Sequence, residues 1–263
     1  MRRILVAFLF VALAGITPEL TAGPGDAQFG LGRATYRAGN VERAREYFEQ
    51  AAAAGHVEAS YILGLMHIEA KVANADPAKA AEWFRSAAEK GHLDAMNHYG
   101  NLLQEGKGVA KNEAEAVVWF RKSAEGGDAR GMRNFAVVTY QGVGTPADRA
   151  KAAMWYGKSA AQGNVDAMVD YGFLLSNGDG IPQDNAAALD WYLKAARAGN
   201  GSGAFNVAEY YRTGKGGAKN EAAARLWYLR AAILGHADAE KEFAARVGFG
   251  IASPEGEKLW DEA

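Results

Sequence analysis

Hydrophobic and polar positions follow a helical period along most of this chain, and the pattern itself repeats. In residues 116–127, AVVWFRKSAEGG, the residues three before, at, and one, four and five after Trp119 fall within an arc of about 140° on a helix, a buried stripe of alternating large and small side chains. The first aromatic recurs at a spacing of 36 as Tyr47, Trp83, Trp119, Trp155, Trp191 and Trp227, and a second follows it as Phe48, Phe84, Phe120, Tyr156, Tyr192 and Tyr228. Alanine stands three before (Ala44 to Ala224) and five after (Ala52 to Ala232) in every copy, and glycine closes each at Gly55, Gly91, Gly127, Gly163, Gly199 and Gly235. That glycine suits the left-handed cap that ends a helix. The residue after it is His56, His92, Asp128, Asn164, Asn200 or His236, of which the Asp and Asn members are good N-caps for a second helix.

The second helix has its own columns, with Tyr99, Phe135, Tyr171 and Val207 each followed by a small residue, Gly100, Ala136, Gly172 or Ala208. Glycine-bearing links such as GKGVAKN and GDGIPQD lead to the next aromatic helix, whereas EAKVANADP after the first copy lacks those glycines and is expected to be irregular. Two short helices cannot bury an apolar stripe alone, so the units must stack. The expected architecture is all-α, a right-handed superhelical α/α solenoid of about six 36-residue helix-turn-helix repeats over residues 41–247. Residues 28–40 are expected to form an N-terminal capping helix and 248–263 a C-terminal capping segment with Ser253 as N-cap and Pro254 as a first helical residue.

Composition changes this picture at one end only. The first residues, MRRILVAFLFVALAGITPELTAGPGDA, place two arginines before an apolar run from Ile4 to Ile16 and a small-residue stretch after it, the layout of a secretory signal peptide over 1–27 with cleavage after Ala22 or Ala27. The run is 13 residues, short of the ~20 that span a bilayer, so a periplasmic or secreted protein with no membrane insertion after signal removal is expected. A formal net charge of −2 gives no general pull toward nucleic acid. The chain has no cysteine, which excludes disulfides, thiolate metal sites and thiol nucleophiles.

The pattern A-x-x-W-[FY]-x-x-[AS]-A-x-x-G-x-x-x-[AG] followed by a glycine-bearing link resembles the Sel1-like repeat family, relatives of the tetratricopeptide repeats, over residues 41 to about 245. The resemblance implies an exported, non-catalytic bacterial scaffold that binds a protein or peptide partner of the cell envelope through the concave face of its solenoid, with a signalling or polysaccharide system as the regulated target. It implies no cofactor. An alternative is a β-lactamase-like or cell-wall-ligand-binding member, but the members so described carry a disulfide in each repeat, which this chain lacks.

The repeat columns are architecture, so recognition is sought where columns vary. The row just before the first aromatic runs Glu46, Glu82, Val118, Met154, Asp190 and Leu226, acidic and then largely apolar; the row three after it runs Gln50, Ser86, Lys122, Lys158, Lys194 and Arg230. In related repeats the first helices line the concave surface, so these rows form a groove with apolar spots and a basic edge, suited to an extended or acidic peptide. Leu226, Leu229 and Ile233 with Leu193 one unit back make an exposed patch unless Leu259 and Trp260 cover it. The expected contacts are Val118, Lys122, Met154, Lys158, Leu193, Lys194, Leu226, Leu229 and Arg230. A further row, His98, Asn134, Asp170 and Asn206, is read as exposed polar residues, with backbone-gripping amides as the functional alternative. Three of the five histidines occupy one turn column and make no metal cluster, and no catalytic motif such as HExxH or GxSxG occurs, so no enzyme is indicated.

Overall fold

The computed structural model describes residues 23–247, and every regular element among them is an α-helix. In chain order these are α1 (Asp26–Arg37), α2 (Val41–Ala53), α3 (Val57–Ile68), α4 (Pro77–Glu89), α5 (Leu93–Glu105), α6 (Glu113–Glu125), α7 (Ala129–Gln141), α8 (Arg149–Ala161), α9 (Val165–Asn177), α10 (Asn185–Arg197), α11 (Gly201–Thr213), α12 (Glu221–Ile233) and α13 (Ala239–Val247). The signal sequence up to Thr21 and Ala22, and the capping segment at 248–263 with Leu259 and Trp260, lie outside the described residues.

Most of these helices start where a side chain supplies a missing acceptor, whereas α1 follows Gly25 with no side-chain cap. The aromatic helices begin after Asn40, Asp76, Asn112, Asp148, Asp184 and Asn220, whose side-chain oxygens accept from backbone N–H groups two or three residues on, as in Asp148 Oδ1 from Lys151 N at 2.9 Å. Helices α3, α5, α7, α9 and α11 use the turn column, with Asp128 accepting from Gly131 N at 2.6 Å for α7. Asn164 and Asn200 cap in the same way, and His56 and His92 do so through Nδ1, each 3.2 Å from the N–H of Ala59 or Ala95. The preceding glycines hold φ between 81° and 97° with open space around them, so conformation fixes the residue there. In the first link, Ala70 takes that left-handed conformation at φ 53° where later links have Gly106, Gly142, Gly178 and Gly214, and Glu42 Oε1 accepts from Ala73 N at 2.7 Å. The link departs from the others in this strained residue and in a buried Val72.

The second aromatic of each pair is a knob seated in a hole on the preceding helix. A Cβ added at Gly32, Gly64, Gly100 or Gly172 would lie 2.6–2.8 Å from the ring of Phe48, Phe84, Phe120 or Tyr192. Ala136 and Ala208 share core clusters with Tyr156 and Tyr228 in the same manner. Burying one such ring contributes about 1.5–3 kcal/mol. The tightest pairing therefore spans the long link, as α3 with α4 and α5 with α6, and the short glycine turn joins one pair to the next. The sequence pattern had grouped the helices the other way. The helix predicted at 28–40 seats Phe48 over Gly32 as later helices seat theirs.

The chain divides into two compact units, one through Gly131 and one from Met132. The first holds a core of Phe29, Phe48, Ile62, Leu63, Met66 and Val72. The second holds successive clusters about Tyr156, Tyr192 and Tyr228. Within each unit, turn residues also tie repeats together, as Asn97 Nδ2 donates to Asp128 Oδ1 at 2.7 Å and Asn200 Nδ2 to Asp166 Oδ1 at 3.2 Å.

Candidate functional site

The variable rows of the aromatic helices face solvent, with exceptions that matter. Val118, Met154 and Leu226 are exposed at 37%, 47% and 51%, large apolar side chains left outside the core. Leu193 is half-buried in a cluster with Trp191 and Tyr192. Leu229, expected on the surface, is fully buried in a cluster with Tyr228 and Phe243. It sits next to Tyr228 around α12, on the side that α13 covers, and half-buried Ile233 packs against the same cluster. Of that proposed patch only Leu226 remains outside.

The basic row is organised by the tryptophans. Lys122 lies 4.2 Å from the ring centroid of Trp119, Lys158 4.3 Å from Trp155 and Lys194 4.0 Å from Trp191, while the Arg230 guanidinium is 5.4 Å from Trp227. A spacing of three along a helix lays each cation over the ring below it, worth about 0.5–1 kcal/mol where exposed. Lys194 is further held by Asp190 at 3.0 Å. These cations are positioned groups with their heads still exposed.

In the second unit the two rows meet at a shallow cleft of about 460 Å³ between α8 and α10. Ala153 and Ile181 form its floor, Tyr171 and Trp191 its aromatic wall, and Met154 and Lys158 its rim. Tyr171 and Trp191 meet edge to face, centroids 5.7 Å apart, and Gly157 lets the Tyr171 ring approach to 3.2 Å of where a Cβ would be. The surroundings are basic. Helices α8, α10 and α12 carry seven Lys and Arg against two Asp and Glu, whereas α2, α4 and α6 carry six against eight. An apolar cleft with aromatic walls and ammonium groups on its rim can take an apolar side chain from a partner that is acidic nearby.

The row His98, Asn134, Asp170 and Asn206 is not the exposed polar stripe expected. All four are at least half-buried. His98 stacks on Phe84 at 4.8 Å with rings 11° apart, and burial, reinforced by Arg130, pushes its pKa down to about 4. The cause is that the seat between neighbouring helices of this type faces the second aromatic of each pair. Asp170 is in an ion pair with Arg133, 2.7 Å to Nε, and burial raises its carboxyl above the usual range despite that guanidinium. Arg133 is a residue that column reading missed, because the contact joins positions 37 apart rather than 36. Among the described residues no three His, Asp or Glu converge as metal ligands, and no helix is long and apolar enough to cross a membrane.

The Sel1 repeat pattern matches residues 25–56, 57–92, 93–128, 129–164, 165–200 and 201–236, each copy starting at the helix that carries the hole and ending after the aromatic helix that fills it. A protective antigen of uropathogenic Escherichia coli displaying an SLR fold superposes with a TM-score of 0.80 at 31% identity, covering 91% of this chain and 52% of the antigen, so the chain spans about half the length of that relative. A Sel1 repeat protein from Oxalobacter formigenes superposes with a TM-score of 0.77 at 25% identity, covering 89% of this chain and 95% of the other. A search of curated proteins yields no match. With six matched copies, thirteen helices and no strand among the described residues, this all-α solenoid belongs to the Sel1 repeat family.

Proposed function

We propose that this chain is an exported, non-catalytic scaffold that binds a protein partner of the cell envelope through the aromatic-helix face of its second unit. Sel1 repeat proteins are in general scaffolds for protein interaction, and that much follows from membership. The observation that carries the finer reading is the cleft where Met154, Lys158 and Trp191 come together on a face rich in fixed cations. Met154 supplies a flexible, polarizable contact and Trp191 a large flat one, the side-chain types that anchor protein interfaces. Lys158, Lys194 and Arg230 then select for acidic neighbours of the anchoring residue. Val118 and Lys122 present the same chemistry once in the first unit.

Export rests on the N-terminal pattern of arginines, apolar run and small residues. Of the two cleavage positions, Ala22 leaves α1 whole, while Ala27 falls inside it. Processing after Ala22 is therefore the reading adopted, and mass spectrometry of the mature protein from its native host tests it. Regulation of a signalling or polysaccharide system is the role proposed for the complex.

The interaction is tested by affinity capture from the envelope fraction with three versions of the chain. Wild type is expected to retain one specific polypeptide; Met154→Asp and the pair Lys158→Glu with Lys194→Glu are expected to weaken its retention about tenfold or more while circular dichroism stays unchanged. Full retention by both folded variants would remove this face from consideration.

A further inference from the structure

A second cleft, of about 320 Å³, lies between α7 and α9 and plays no part in the face described above. Arg133, Val137 and Tyr140 line it from α7, Tyr156 from α8, and Asp170 and Phe173 from α9. Its polar groups are costly to place. Arg133 and Asp170 are each about two thirds buried, and burial outweighs the guanidinium in raising the Asp170 carboxyl. A paired charge in such a place adds little stability over apolar groups of the same size. The positions two repeats earlier, Tyr61, Phe84 and His98, are filled with rings that pack on one another. The lattice therefore accepts an apolar filling here, and the second unit has a polar opening in its place.

The arrangement of donors says what the opening can take. Asp170 grips the Arg133 guanidinium through Nε at 2.7 Å, and neither Nη nitrogen is hydrogen-bonded among the described residues. That leaves the planar end of the guanidinium, the edge that matches a carboxylate with two parallel N–H donors. Tyr140 is fixed as a wall, donating to Asp179 at 2.7 Å with Arg149 on the same carboxylate. Beside these donors lie Val137 and Phe173, an aromatic ring 51% exposed at the rim. A carboxylate joined directly to an apolar body satisfies both halves, and in a polypeptide that combination occurs at a chain end with an apolar last residue.

We propose that this cleft receives the free C-terminal residue of a polypeptide, with its carboxylate held end-on by Arg133 Nη1 and Nη2 and its apolar side chain laid on Phe173 and Val137. The Tyr156 hydroxyl and the Gln141 amide, which also line the cleft, can each donate or accept and so serve the last peptide unit. An internal Asp or Glu offers the carboxylate without the apolar body. The site stands independently of the aromatic-helix face, and a chain that loses binding there would still bind here.

The test uses the whole chain, labelled with nitrogen-15, and three probes: acetyl-Gly-Ala-Leu as the free acid, the same tripeptide as its C-terminal amide, and acetyl-Gly-Ala-Glu as its C-terminal amide. The free acid is expected to give saturable shifts at Arg133, Val137 and Phe173, with the other two probes weaker by about tenfold or more. Arg133→Gln is expected to abolish the shifts and Phe173→Ala to weaken binding several-fold, with helicity unchanged. Equal binding of acid and amide, equal binding of the glutamate probe, the absence of saturable shifts, or binding that survives Arg133→Gln overturns the proposal. Should Arg133→Gln fail to fold, the acid-against-amide comparison on wild type and the exposed Phe173→Ala variant decide it.

Discussion

The same lattice position is a stack of rings in the first unit and an ion pair in the second. Tyr61, Phe84 and His98 occupy it in one; Arg133, Tyr156 and Asp170, each 72 residues later, occupy it in the other. The rings lie 4.8–6.0 Å apart and fill the space, and His98 is held neutral there by burial. The polar set leaves a cleft, and its carboxyl is held above its usual range by burial. One backbone lattice thus supports two different fillings, so neither is dictated by the fold. The filled version serves stability, and the open one exposes groups that can meet a ligand.

The comparison breaks most severely if the ring stack is not the stabilising element of the first unit. Phe84→Ala empties a fully buried seat over Gly64 and is expected to cost about 3–5 kcal/mol in urea denaturation. A cost below about 1 kcal/mol would mean that the knob and hole contribute little.

Acid should act on the two units in opposite directions. The folded chain withholds from His98 a proton that the unfolded chain takes up near the ordinary 6.5, until pH reaches about 4. Stability from this group is full above pH 6.5, falls as pH drops toward 4 and then levels off, a loss of about 3 kcal/mol. Burial lowers His56 and His67 in the same direction. The raised Asp170 carboxyl has the reverse sign, its cost growing as pH rises above the ordinary carboxylate value. Hydrogen exchange between pH 7 and 4.5, corrected for intrinsic rates, is expected to show lost protection in α3 to α5 with little change in α7 to α9; equal loss in both would contradict the assignment.

Replacing Arg133 by Met together with Asp170 by Leu should be neutral or stabilising by about 1 kcal/mol, since apolar groups restore the kind of filling seen in the first unit. A large loss would make the pair structural. The smallest effect is expected at the strained first link. Ala70→Gly relieves a left-handed backbone that its sister positions reserve for glycine, and it should raise the free energy of unfolding by less than about 1 kcal/mol without affecting either cleft.

Much of this was legible in the sequence because it depends on spacing. Aromatic and alanine columns locate the helices, glycines their ends, and a basic residue three after tryptophan could have been read as a cation lying on the ring. What was not legible depends on contacts off the column. The burial of Leu229 needs α13, which carries Phe243 but no copy of the aromatic pair. Arg133 meets Asp170 one position away from the repeat spacing, and His98 turns into the ring stack although polarity alone suggests solvent. Grouping helices by the short glycine turn also hid the closer pairing across the long link, which only the seat of each ring in its glycine or alanine hole identifies.

The central claim is that recognition belongs to the second unit while the places 72 residues earlier in the first are scaffold. A photo-crosslinking residue placed at Met154 and Phe173, and at their lattice equivalents Glu82 and Asn101, tests it in the native host. Adducts with a specific polypeptide from 154 or 173 and none from 82 or 101 are expected; equal adducts from both sets, or adducts from 82 and 101 alone, would contradict it.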